Sequence, residues 1–183
     1  MAYSGSEQLR IFAPVIKVTG AYACLFFTFM MFQSFSKFYV FNEAKKKAKK
    51  DGTEKVSLRE IKYNSTTGLG FVSDRTFLNM LEQCPLFLTG LWMHAAFVSP
   101  ESAATAGWIY IVFRAMYPFL FPMGIPWFFL STMPNYMVVW YLIGTTVNAA
   151  LKAYLYFQKI NLKFIFFLFC FFALIPVLGG GGE

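Results

Sequence analysis

Arg75, Asn79 and Glu82 stand at i, i+4 and i+7 of an otherwise apolar stretch, and Tyr110, Arg114 and Tyr117 repeat that interval further along. On a helix each set lies on one face. Ionisable residues in an apolar run are costly and mark function by default. Together the two stripes offer two guanidinium groups, a carboxylate, an amide and two phenols. Such a set suits a small ligand bearing both carboxylates and an amino group. Arginines clamp carboxylates bidentately, and Glu82 accepts from an ammonium. A purely structural reading uses the same residues: Glu82 pairs with Arg114 to lock two helices, and Asn79 satisfies a leftover donor. Spacing leaves both readings open. His94 reads as a hydrogen-bonding link between helices rather than a catalyst. Cys24, Cys84 and Cys170 lie far apart in apolar runs with no Cys-x-x-Cys spacing. They read as buried thiols, and no metal site is predicted. No residue can be assigned a catalytic role.

The elements carrying these stripes must be membrane helices. Of 183 residues, 57% are hydrophobic, 21% aromatic and only 14% charged. A soluble domain carries roughly 25% charged residues, so a soluble enzyme, a disordered regulator and a disulfide-stapled secreted domain are excluded. The net charge of +7 is concentrated. Lys45, Lys46, Lys47, Lys49, Lys50, Lys55, Arg59 and Lys62 crowd one loop, offset by Glu43, Asp51, Glu54 and Glu60. Apolar walls flank this loop, which argues against nucleic acid as a partner. It reads either as a contact for anionic lipid headgroups or as the charge bias that fixes topology.

A span needs about 20 mostly apolar residues. The sequence predicts one membrane domain over 1–183, with spans at about 18–41, 75–98, 102–117 and 135–156 and a polybasic loop at 42–74. The EAKKKAKK run favours helix up to Gly52. Four prolines, Pro118, Pro122, Pro126 and Pro134, forbid a regular helix throughout 118–134, which reads as an aromatic interfacial connection. Trp92, Trp108, Trp127 and Trp140 suit packing and interface anchoring. Residues 164–178 fit either a fifth short hydrophobic helix or an interfacial one. The N-terminus has no basic n-region or apolar h-region, so no cleaved signal peptide is expected. The sequon at Asn64 reads as unused, because a polybasic loop should not face a secretory lumen. The fold class is all-α, an integral membrane four-helix bundle.

The stretch Arg75-Thr-Phe-Leu-Asn79-Met-Leu-Glu82-Gln-Cys-Pro85 and its continuation through Gly107, Tyr110, Arg114 and Tyr117 resemble the MAPEG family, membrane-associated proteins of eicosanoid and glutathione metabolism. The likeness is greatest to the branch with the cysteinyl-leukotriene synthase and the five-lipoxygenase-activating protein. The resemblance implies a homotrimer of four-helix subunits with glutathione bound between neighbours near the cytosolic side. It implies glutathione contacts at Arg75, Asn79, Glu82 and Tyr117, and Arg114 stands where the family has an arginine.

Two departures bear on activity. Phe121 stands where a second tyrosine contact is expected. The family's thiolate-activating arginine has no counterpart, since 115–151 contains no charge; Trp127 and Phe128 stand near its place. A glutathione thiol needs a cationic or hydrogen-bonding partner to favour the thiolate, for which Ser131 and Thr132 are the remaining donors. Fold alone does not fix function. The balance falls on a lipid- or glutathione-binding member, or a structural subunit of a larger membrane complex. The alternative is a glutathione transferase or peroxidase acting on lipophilic electrophiles. An endoplasmic-reticulum or other organellar membrane is the expected location.

Overall fold

A computed structural model describes residues 5–52, 57, 59 and 68–158. They form four helices: α1 (Gly5–Asp51), α2 (Gly68–Phe97), α3 (Pro100–Leu120) and α4 (Trp127–Gln158). The bundle is all-α, as expected. The segment 164–178 lies outside the described residues.

α1 is a single helix of 47 residues, about 70 Å at 1.5 Å per residue. The Ala, Lys and Glu residues after Phe41 are good helix formers, so α1 continues through the first part of the polybasic stretch. It stops at Gly52, whose φ of 65° is the left-handed conformation that ends helices. α2 begins at Gly68, two turns before the apolar run expected from 75. The segment between these helices is therefore shorter than the predicted loop.

α3 starts with Ser99 as its cap: the Ser99 hydroxyl accepts from the Ser102 backbone N–H at 3.3 Å, and Pro100 occupies the first helical position. The helix runs past Pro118 to Leu120, one turn beyond the expected end, because one missing N–H can be tolerated in the last turn. The irregular connection narrows to a 3-10 turn at Phe121–Met123, Gly124 at φ 73° and a cis Ile125–Pro126 bond. α4 absorbs Pro134 and begins near 127 rather than 135.

α2 and α3 form the centre, with α1 packed on one side of the pair and α4 on the other. The core joins Val15, Val18 and Tyr22 of α1 to Met80, Phe87 and Leu91 of α2. Ala103, Ala106 and Tyr110 of α3 and Val138 and Leu142 of α4 complete it. The rings of Phe87 and Tyr110 stack at 3.8 Å and 12°. Gly107 lets α1 approach α3: a Cβ there would lie 2.5 Å from Val18 Cγ1 and 3.1 Å from Leu91 Cδ1. Small residues at crossings are the usual means of close packing between membrane helices.

The outside is apolar. Phe27, Phe35, Phe119, Ile125, Met137 and Trp140 are all more than half exposed, a surface that water would penalise and hydrocarbon would not. α1 and the stretch Pro100–Met123 are each long and apolar enough to cross a bilayer.

Candidate ligand site

The two polar stripes meet. α2 and α3 run antiparallel, so the beginning of α2 lies beside the end of α3. Between them is a cleft of about 330 Å³ lined by Phe71, Arg75, Leu78, Asn79, Glu82, Tyr117 and Phe121. That volume sits at the lower end of the range for small-molecule sites. Four of the five residues singled out by spacing and resemblance thus share one wall. Arg75 and Glu82 are exposed, whereas Tyr117 is buried. The Arg75 guanidinium lies 5.4 Å from the centre of the Phe71 ring. Phe121 stacks on Tyr117 at 5.3 Å and 18° and meets Phe71 at 5.7 Å. The aromatic ring expected at 121 is in place, but its hydroxyl is missing.

Arg114 is not in the cleft wall. It is fully buried, one layer beneath. Its Nη1 donates to Asn79 Oδ1 at 2.5 Å, and its Nη2 donates to Gln83 Oε1 and, at 3.2 Å, to the Tyr110 hydroxyl. Tyr110 in turn donates to Gln83 Oε1, and Gln83 Nε2 donates to Asn79 Oδ1, both at 3.2 Å. The Arg114 guanidinium also faces the rings of Tyr110 and Tyr117, at 5.3 and 5.8 Å. The Glu82–Arg114 lock is not formed: the ion pairs among the described residues are Lys37–Asp74 and Lys46–Glu43.

Spacing missed Gln83, which sits one turn after Asn79 and makes the Arg114 network possible. A polar residue between Glu82 and Pro85 in an apolar run was the available signal. Phe71, one turn before Arg75, had none. Asp74 was also missed. Its carboxylate takes Lys37 Nζ at 2.5 Å and Gln33 Nε2 at 2.9 Å, tying α1 to α2 one residue before Arg75.

His94 links helices: its Nε2 meets the Ser102 hydroxyl of α3 at 2.7 Å and its Nδ1 meets the Thr145 hydroxyl of α4 at 2.8 Å. It stands at the other end of α2 from the cleft, which fits the linking reading. Ser131 and Thr132 are buried on α4, as is Asn135, and the polar side-chain atoms of all three have no partner among the described residues. Neither hydroxyl lines the cleft.

No curated protein matches this chain. The MAPEG family model, by contrast, matches residues 19–151, from the middle of α1 almost to the end of α4, and takes in the whole cleft. A membrane bundle of four helices, with both polar stripes inside a match covering well over half of the chain, belongs to the MAPEG family and so to the membrane proteins related to glutathione and eicosanoids.

Proposed function

We propose that the cleft binds glutathione or a closely related γ-glutamyl compound, and that the protein uses this site for binding or assembly rather than as a full catalyst. The observation that carries the reading is the composition of the wall. Arg75, Asn79 and Tyr117 supply donors for carboxylates and peptide carbonyls, and Glu82 supplies an acceptor for an ammonium. Nothing in that wall remains to stabilise a thiolate: Phe121 lacks a hydroxyl, and 115–151 carries no charge. The likeness to the leukotriene-synthase branch rests on the stretch from Arg75 to Tyr117. By the same resemblance the protein works as a homotrimer or as one subunit of a larger membrane complex. All four helices cross an organellar membrane such as that of the endoplasmic reticulum. The lysines of α1 after Phe41 meet anionic lipid headgroups at its surface.

A transferase or peroxidase reading has one observation in its favour. The unpartnered hydroxyls of Ser131 and Thr132 lie near the start of α4, at the same end of the bundle as the cleft. Purified protein separates the two. The binding reading expects glutathione to raise the unfolding temperature with no conjugation to a generic aromatic electrophile, and Arg75→Ala to weaken the protection by about tenfold or more, the worth of a charge-assisted contact. Conjugation that depends on Ser131 or Thr132 would establish catalysis instead. No protection at any glutathione concentration would sink both.

A further inference from the structure

Arg114 is a buried cation with no counter-charge among the described residues. It is 0% exposed, its hydrogen-bond partners Asn79, Gln83 and Tyr110 are all neutral, and its Nε has no partner among the described residues. Among the described residues no carboxylate pairs with it. Such a charge is expensive to bury unless something compensates it. Rings of Tyr110 and Tyr117 offset part of the cost through their π faces. They do not cancel a unit charge.

The same network fixes the polarity of the cleft. Asn79 Oδ1 already accepts from Arg114 and Gln83, so its amide nitrogen is the donating end, with one N–H shared with the Tyr117 hydroxyl and the other left for a ligand. Gln83 cannot turn to relieve it, because Gln83 Oε1 accepts from Arg114 and Tyr110. Asn79 is thereby held as a donor, with a positive charge directly behind it.

We propose that Arg114, acting through Asn79 and Gln83, is a positioning residue that makes the cleft select ligands by an anionic group: a carboxylate seated against Asn79 supplies the charge that the chain itself withholds from Arg114. This deepens the glutathione reading and rests on it for the identity of the ligand, but not for its charge. Arg75 acts at the exposed rim, where water screens it. Arg114 acts from the dry side, where a charge reaches further.

The test is a ratio of affinities, measured as thermal protection of the purified full chain by glutathione and by glutathione diethyl ester. Wild type should prefer the free acid by about tenfold or more, as one charge-assisted contact is worth. Arg114→Met removes the buried cation, and the ratio should fall by about tenfold, leaving only the preference that Arg75 supplies at the rim. Arg114→Lys keeps the charge without the fork and should keep most of the preference, which a merely structural role would not predict. Should Arg114→Met fail to fold, Gln83→Glu neutralises the charge in place and should lower the ratio equally. A ratio unchanged in Arg114→Met or in Gln83→Glu overturns the proposal. Where glutathione protects nothing, the glutathione reading falls, and glutarate against dimethyl glutarate decides the rest. Glutarate protection lost in Arg114→Met sustains selection by charge, and no glutarate protection in wild type refutes it.

Discussion

Replacing Lys37 by Met should loosen the join between α1 and α2. Lys37 Nζ and Asp74 Oδ2 lie 2.5 Å apart, and the two side chains are only 10% and 22% exposed. At an effective dielectric constant of 20 their gross attraction is roughly 6–7 kcal/mol, most of which offsets the desolvation of both groups. Removing one partner of a buried pair costs about 3–5 kcal/mol. Here Asp74 keeps some access to water and its hydrogen bond from Gln33 at 2.9 Å. A cost of about 2–3 kcal/mol follows, or a fall of roughly 5–10 °C in unfolding temperature for a chain of this size. Adding Asp74→Asn removes the stranded charge and should restore all but about 1 kcal/mol, because a neutral pair has no desolvation to repay. Thermal unfolding in mild detergent of the two single variants and the double variant gives the coupling energy directly. The two single changes adding without coupling would show that this contact does not hold the helices together. A second readout is the cleft. Asp74 precedes Arg75, so slack in the first turns of α2 should raise the glutathione concentration needed for protection.

Two further outcomes are expected. Gly107→Ala places a methyl 2.5 Å from Val18 Cγ1 and 3.1 Å from Leu91 Cδ1, and overpacking of this kind costs about 1–3 kcal/mol. The added Val18→Ala should recover part of the lost thermal stability, and no recovery would place the strain elsewhere. Phe121→Tyr returns a hydroxyl to the rim of the cleft without disturbing the stack on Tyr117. One neutral hydrogen bond is worth about 0.5–1.5 kcal/mol, so glutathione affinity should rise roughly two- to tenfold with little change in the unfolding temperature of the free protein. Unaltered affinity would mean that position 121 does not face the ligand.

The helices were legible because their apolar runs are long and their terminators local. Gly52, Ser99 and the four prolines mark ends or turns through their own backbone chemistry. What sequence left out were the outer turns of α1, α2 and α4, where polar or aromatic residues continue a helix that tertiary packing supports. The cleft was legible for a different reason: two stripes of equal interval on neighbouring antiparallel helices must face each other or face lipid. Which stripe residue would be wall and which would be foundation was not legible. Arg114 and Glu82 differ in sequence only by charge sign and helix, and spacing allows a salt bridge between them as readily as a shared ligand. Gln83 decides it. By giving Arg114 a second neutral acceptor behind Asn79, it draws the guanidinium inward and leaves Glu82 at the surface. Lys37 falls inside the predicted first span, and its partner Asp74 is too far away in sequence for spacing to connect the two.

The placement of Arg114 bears on activity as well as on specificity. An unperturbed thiol has a pKa near 8.5, so only a few per cent is thiolate at pH 7. Raising that fraction needs a positive charge or a donor within reach of the sulfur. Arg75, in the cleft wall, is exposed and screened, and the buried Arg114 has its two Nη groups committed to Asn79, Gln83 and Tyr110. Redirecting Arg114 towards a thiol would break three hydrogen bonds from a charged donor, each worth about 1.5–3 kcal/mol. That cost exceeds the roughly 2 kcal/mol needed to bring a thiol from 8.5 to 7. Arg114 is therefore spent on orienting Asn79, and a glutathione held in this cleft would be recognised by its carboxylates while its sulfur stayed largely protonated.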